Sequence, residues 1–546
     1  MKKIFPVIIC VLIGSPTVLA RRNEPLANEN KGGLYVRSIE QVLRLREDEA
    51  DLATAALIVS ERWSDLVYGR RYLSRLDDMA LEIRERLRRK KLPSNTRSGH
   101  TRLRRADFRA IHVISEYLFA ELGFKALSEA NDPNDLFLHT VLDKKRGYCL
   151  SLSILYLSLA ERLGLPLYGV VVPGHFFVRY DDKQVRFNIE TTSKGGSATD
   201  EYYISKFKVP EGENHIYMKN LNKIQTLGCF LNNLGNSYVD IGDTESALLA
   251  LLRAVEINPT LSESRTNLGN VYLKKGEVAD AIYEYRAALE INPDDPKTHN
   301  NLGNAYTQQN WLKYAISEYS QSLELDPNFT DAYKNLAIAY CKQKRFAQAI
   351  VQLKQAIILE PKDAGCYNQL GNAYSGMGKY KEAISQYKKA LRFERDFVEA
   401  NYGLALCYSE LGLVDDEIRE YTKVLAVKPN MLAALINLGN AYFEQEKYDA
   451  AIEQYKKAVR IEPNEAMIHY NLGAAYSNNK NYNQAVGEYL RAVEIEPEIG
   501  DAHHGLAIGF YQLKKYKLAW IHIKIAEKLG VEVSKDQLNA IKRKLR

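Results

Sequence analysis

No apolar run in this chain is long enough to cross a bilayer. The run from Ile4 to Ile13 follows two lysines and breaks at Gly14, Ser15 and Pro16, with small or apolar residues up to Ala20. That is the layout of a secretory leader, with Val18 and Ala20 where a signal peptidase reads. Residues 1–20 are therefore expected to be a signal peptide and the mature chain extracytoplasmic, periplasmic or secreted, without a membrane span. Cys10 lacks the small residue ahead of it that a lipid-anchored leader carries, so no anchor is expected. Cysteine is scarce: beyond the leader there are Cys149, Cys229, Cys341, Cys366 and Cys407. An odd, scattered set excludes a disulfide framework and leaves at least one free thiol. Neither charge sign dominates, since 74 Lys and Arg against 68 Asp and Glu give +6. So small an excess gives no reason to expect a nucleic-acid partner. Phosphate-binding glycine loops, HExxH and the nucleophile-elbow serine are all missing. His503 and His504 are adjacent, point to different helix faces and have no carboxylate spaced to complete a metal site. No cofactor or metal is expected.

What is present is a repeat. At 546 residues the chain should divide into two or more domains. From residue 228 onward Pro259, Pro293, Pro327, Pro361, Pro429, Pro463 and Pro497 recur at 34 residues, with Arg395 in the one missing slot. With Pro259 as position 32, position 8 holds Gly235, Gly269, Gly303, Gly371, Gly439 and Gly473, and position 11 holds tyrosine from Tyr238 to Tyr476 and then Phe510. Position 20 is alanine from Ala247 to Ala519 except at Glu417. Small residues let two helices approach, the aromatic fills the space beside them, and proline starts the next unit. This pattern resembles the tetratricopeptide repeat (TPR), here nine units over 228–533, with 534–546 as a polar capping helix.

Ahead of the repeats, residues 34–92 read as helical by their three- and four-residue apolar spacing. A basic stretch follows, RLRRKKLPSNTRSGHTRLRR, favoured as a solvated helix end and loop over a site for an anionic surface. Residues 21–99 are taken as a helical N-terminal region with this linker, and 100–222 as a core. Within that core Cys149 opens an apolar helix over 149–163, where the positive end of the backbone dipole favours a thiolate. LYGVVV and HFFVRY read as strands broken at Pro173 and Gly174, and VRFNIE as a third. A turn at Asp182 and Lys183 sets His175 directly opposite Glu190 and Arg179 opposite Arg186. Phe176, Val178 and Tyr180 then share the other face with Val185, Phe187 and Ile189, an apolar surface for a helix to cover.

Cysteine at a helix start, histidine at a strand start and a carboxylate on the next strand resemble the transglutaminase-like superfamily. DLATAALIVSERW, RGYCLSLSILYLSLAERLGLPLYGVVVPGHFFVRY and NIETTSKGG look like a bacterial branch of it in which TPR units follow the core. The resemblance implies an α+β, papain-like domain followed by an all-α TPR solenoid of about nine repeats. It implies Cys149 as nucleophile, His175 as general base and Glu190 as orienting acid where the superfamily usually has Asp; Asn188, two residues away on the same face, is a candidate substitute for Glu190. Amides near Cys149 and Leu150 would hold the oxyanion. Taken alone, Cys149 reads as a small core residue at a helix start; His175 and Glu190, placed independently, turn the reading toward an active or once-active site.

Position 6 of the repeat holds Asn233, Asn267, Asn301, Asn335, Asn437 and Asn471, and position 9 holds Asn236, Asn270, Asn304, Asn372 and Asn440. Positions three apart share a helix face, and in TPR proteins that face lines the concave groove. Two readings stand: an amide ladder that pairs with the backbone of an extended peptide, or bonds between neighbouring repeats. Gln369 and Gly403 interrupt position 6. The expectation is an exported protein-binding chain with a Cys-His-Glu site for thiol-dependent acyl transfer, of peptidase or amidase type, on a protein or peptide held by the groove. The alternative is a non-catalytic scaffold with a vestigial core.

Overall fold

A computed structural model of the chain describes residues 26–545, apart from 29–33, 37, 47–48, 65–68, 90–98, 129–131 and 211–214. The expected leader, 1–20, and the middle of the basic stretch lie outside the described residues. The chain has a small mixed α/β region followed by a helical solenoid, and it divides into two compact units, 1–305 and 306–546.

The first unit is built on the helix Cys149–Leu163. Residues Leu150 to Ala160 are buried on every side, as expected for a helix that is apolar all round, and Gly164 ends it in the left-handed region at φ 73°. The helices Leu52–Trp63, Gly69–Arg89 and Gly99–Ser115 surround it. Leu52–Trp63 is likewise buried from Leu52 to Ser60, and its start is fixed by Asp51, whose carboxylate accepts from Thr54 N at 2.7 Å. One hydrophobic core runs from Ile39 to Val271. The N-terminal helices, the cysteine helix and the first repeats therefore do not pack as separate bodies. Leu34–Val36, expected as helix, is a short strand paired with Leu26–Asn28.

A three-stranded antiparallel sheet follows, with His175–Asp181 central between Leu167–Val172 and Arg186–Ile189. Its second hairpin differs from the sequence expectation. Arg179 pairs with Asn188 and Asp181 with Arg186, so the register is displaced by two residues and His175 does not sit directly across from Glu190. The turn residues are Lys183 and Gln184, closed by Asp182 N to Val185 O, with Lys183 at φ 69°. Asp182 Oδ1 accepts from Gln184 N and Val185 N, and Asp181 Oδ1 from Lys183 N, the local bonds that make Asp a turn former. The register also replaces an Arg179–Arg186 repulsion by an Arg186–Asp181 ion pair at 3.1 Å. A shift of two preserves the side-chain faces. Phe176, Val178, Tyr180 and Ile189 thus still pack toward the cysteine helix, while Phe177 packs on Tyr203 of the helix Asp200–Phe207 on the opposite face.

Nine antiparallel helix pairs occupy residues 223–528, and Lys535–Leu545 closes the series. The first two pairs lie in the first unit; in the second unit the pairs continue from residue 306. At Gly235, Gly269, Gly371, Gly439 and Gly473 the group filling the notch is the residue at position 24 of the following helix, not the position-11 tyrosine. A Cβ on Gly371 would lie 2.6 Å from Tyr387, and one on Gly439 2.5 Å from Tyr455. The fourth repeat has Ala337 with Leu353 instead, a larger residue matched by a smaller one. Gly371→Ala should therefore cost about 1–3 kcal/mol by overpacking, offset in part by alanine's better helix propensity. Gly487 meets nothing within 4 Å, so Gly487→Ala should raise stability by a few tenths to about 1 kcal/mol. Urea midpoints of the two variants are expected to move in opposite directions.

Candidate functional site

Cys149 is the first residue of its helix and half-buried. Tyr148 N donates to Ser151 Oγ at 2.8 Å, and the first intrahelical bond is Leu152 N to Tyr148 O. The amides of Cys149 and Leu150 precede that bond and have no intrahelical acceptor. His175 starts the central strand. Its Nε2 lies 2.6 Å from Oε2 of Glu190, with the two side chains 15% and 13% exposed. A carboxylate can only accept, so Nε2 carries the hydrogen and Nδ1 is left for the thiol.

Glu190 caps a short 3-10 turn, Thr191–Ser193. Its Oε1 accepts from Thr192 N at 3.1 Å and Thr192 Oγ1 at 2.6 Å, and its Oε2 from the Tyr203 hydroxyl at 3.1 Å. Thr191 Oγ1 donates to the carbonyl of Cys149 at 3.3 Å and lies 3.0 Å from Ser153 Oγ. The turn that carries the acid is thereby fastened to the helix that carries the cysteine. The extra methylene of Glu over Asp is absorbed by these four donors. Asn188 is not a substitute: its Oδ1 accepts from Arg179 Nε and its Nδ2 donates to Ala198 O and Asp200 Oδ1.

The rings of Phe207 and Tyr203 stack along His175, Phe207 at 4.9 Å and nearly parallel. Thr191, Thr192, Tyr203 and Phe207 were not singled out in the sequence. The Thr-Thr pair after the acid was a local capping signal, but the aromatic cover comes from a helix ten residues downstream whose placement only the tertiary fold defines. Burial alone would lower the His175 pKa. Hydrogen bonds to Cys149 and Glu190, with their charges, outweigh it and raise the imidazole to about 9. Burial alone would raise Glu190, but bonds from His175 and Thr192 bring it below the usual carboxylate range.

A histidine raised above its ordinary pKa contributes stability that is complete below about 6.5 and is lost as pH rises through about 9. The difference in unfolding free energy between wild type and His175→Gln should therefore shrink between pH 7 and 9.5, measured by denaturant titration across that range.

Residues 70–220 match the model of the transglutaminase-like superfamily. TPR models match 235–344, 330–396, 368–431, 439–480 and 466–499. The chain joins a transglutaminase-like domain to a TPR array. It is 40% identical over 68 residues to a UPF0162 protein of Xylella fastidiosa, covering 12% of this chain and 24% of that protein. It is 35% identical over 71 residues to F-box only protein 21 of Mus musculus, covering 13% and 11%. The chain thus spans a quarter or less of these relatives. MamA from Desulfovibrio magneticus RS-1, a solved structure, is 23% identical over 31% of this chain and 94% of its own, with a TM-score of 0.30.

In the TPR array the predicted asparagines take part in a bonding pattern between helices. Asn270, Asn372 and Asn440 each accept, through Oδ1, from the position-24 hydroxyl of Tyr285, Tyr387 and Tyr455 at 2.7 Å. Asn301 Nδ2 donates to Asn270 Oδ1, Asn267 Nδ2 to Asn232 Oδ1, and Asn437 Nδ2 to the hydroxyls of Tyr402 and Tyr421. The tyrosine bonds of Asn270, Asn372 and Asn440 lie within one repeat, whereas Asn267, Asn301 and Asn437 bond to the preceding repeat. Asn372 and Asn440 are exposed. Asn233, Asn236, Asn304, Asn335 and Asn471 are half-buried on the corresponding helices. Gly403, at position 6, leaves room for Tyr387, whose ring would lie 2.6 Å from a Cβ there. His503 bonds Pro497 O and His522, and among the described residues no group of three metal-ligating side chains occurs.

Proposed function

We propose that the chain is an exported thiol-dependent acyl transferase, of peptidase or amidase type, acting on a protein or extended peptide that its TPR array holds. The observation that carries this reading is His175 bridging Cys149 and Glu190. Thiol and imidazole share one proton, which passes to His175 as the sulfur attacks. The sulfur adds to an amide or ester carbonyl, and the oxyanion meets the amides of Cys149 and Leu150. His175 gives its Nδ1 proton to the departing amine or alcohol as the thioester forms. Water or an amine then attacks the thioester, loses its proton to His175 and returns Cys149 as the thiolate. Glu190 keeps the ring in one tautomer and orientation throughout. Export rests on the leader-like residues 1–20.

The test uses p-nitrophenyl acetate as acyl donor. The expected result is a burst of one nitrophenolate per chain, with the acetyl group mapped to Cys149 by mass spectrometry and no burst from Cys149→Ala. A native protein that gains no acetyl group on Cys149, while the same thiol acylates after unfolding, would leave only the scaffold reading.

A further inference from the structure

We propose that the transglutaminase-like site selects an acyl donor that carries carboxylates beside the reacting carbonyl, through a rim of unpaired lysines. The inference rests on the acyl-transfer reading above and adds a substrate class to it.

The segments that form the site end in exposed lysines. Lys145 ends the helix Leu138–Lys144, four residues before Cys149, and its carbonyl accepts from Lys125 N at 3.0 Å. Lys125 lies in a two-residue strand paired with Arg146–Gly147. Lys194 ends the turn that starts at Glu190 and is bonded to Cys149 through Thr191. Lys206 lies with its Nζ 5.2 Å from the ring centroid of Phe207, the ring stacked on His175 at 4.9 Å, and Lys208 follows directly. All five are exposed.

None of these five has an ion-pair partner among the described residues; Lys206 Nζ donates to the Tyr202 hydroxyl at 2.7 Å. The acids of the neighbourhood are already engaged. Asp135 takes both Lys144 and Arg146, Asp200 takes Arg179, Glu190 takes His175, and Asp143 is held by Arg75 and Tyr72. Glu201, at the start of the Asp200–Phe207 helix, is exposed and unpaired. Among the described residues of this neighbourhood these five lysines without an ion pair stand against two acids without one, Glu201 and Asp132, whose carboxylate takes only the amide groups of Asn134. A cluster of one sign around a partly buried nucleophile concentrates an anionic reactant and speeds its approach, an effect that salt screens over about 8–10 Å.

The experiment compares two electrophiles of nearly equal size, anionic iodoacetate and neutral iodoacetamide, on the full chain. Modification of Cys149 is quantified by peptide mass spectrometry, and a cysteine-containing peptide serves as reference. The ratio of the two rates reports the potential at the sulfur, whereas either rate alone reports how nucleophilic the sulfur is. The ratio should exceed that of the peptide, fall about threefold or more in Lys145→Gln/Lys194→Gln/Lys206→Gln, and fall again in wild type at 0.5 M salt. A ratio equal in wild type and triple variant would overturn the proposal even if both rates are high. Two slow rates with a lysine-dependent ratio would instead sink the acyl-transfer reading and keep the basic rim. Should the folded protein resist both reagents, anisotropy of a fluorescent hexaglutamate peptide supplies the same contrast. Wild type should bind it at least fivefold more tightly than the triple variant, and equal affinity overturns the proposal.

Discussion

Replacing His175 with alanine is expected to slow alkylation of Cys149 by iodoacetamide at pH 6.5 by about a hundredfold, the lower end of what a positioned acid–base partner contributes. At that pH an isolated thiol is almost wholly protonated and unreactive. In the wild type the imidazolium, raised to about 9, stands beside the sulfur and supplies a positive charge that favours its attack. Removing the ring removes that stabilising charge. The helix dipole remains, but alone it is worth about 0.3–1 kcal/mol at an exposed terminus. Glu190→Gln should have a smaller effect, on the order of tenfold, because an amide oxygen can still accept from Nε2 while the negative charge that raises the imidazole is lost. The Tyr203 hydroxyl would still donate to that oxygen, while the NH2 in place of Oε1 would face the Thr192 N–H and lose its bond. A pH–rate profile in which wild type, His175→Ala and Glu190→Gln superimpose would remove the basis for a catalytic assignment. Every kinetic difference should vanish in denaturant, where the three thiols become equivalent.

Much of this was legible in the sequence, for definite reasons. The TPR array announces itself because each unit must bury the same face against the next, and that need recurs every 34 residues. Cys149 was legible from its place at the head of an apolar helix, and His175 and Glu190 from strand alternation, which fixes the face of a residue more securely than its partner. That distinction explains the register. Alternation by twos cannot separate a turn at Asp182–Lys183 from one at Lys183–Gln184 with the pairing moved by two, and both put His175 and Glu190 on one face. The choice was made by side-chain bonds from Asp181 and Asp182 to the turn amides and by the charge pairing of Arg186. The aromatic cover over His175 was invisible for a different cause: Tyr203 and Phe207 lie on a short helix with no periodic signal strong enough to assign it a neighbour. In the array, Asn at positions 6 and 9 told which face it occupies but not whether a tyrosine hydroxyl from the next helix would already be there.

Arg179→Ala is expected to destabilise the transglutaminase-like domain by about 3–5 kcal/mol, from the cavity it opens and the acceptors it leaves unpaired. Arg179 is 1% exposed and sits under the sheet face that carries His175. Its Nε donates to Asn188 Oδ1 at 2.8 Å, and its two terminal nitrogens to Met218 O and Asp200 Oδ1, each at 2.6 Å. Burial lowers the guanidinium pKa and Asp200 opposes it. Alanine would strand three acceptors at once and open a cavity. Arg186→Ala offers the contrast: its ion pair with Asp181 has a 56% exposed arginine, and its loss should cost less than about 1 kcal/mol. Because Asp200 begins the helix that presents Tyr203 and Phe207 to His175, Arg179 also fixes that cover. Two effects should then appear together in Arg179→Ala: a lower urea midpoint, and a loss of Cys149 reactivity measured well below that midpoint where the chain is still folded. Arg179→Met/Asp200→Leu removes both charges and refills the space, so it should recover much of the stability. If it recovers stability without reactivity, the ion pair serves to aim the helix over His175. If both return, packing alone holds the helix, and the charged pair adds nothing to the site that an apolar contact cannot.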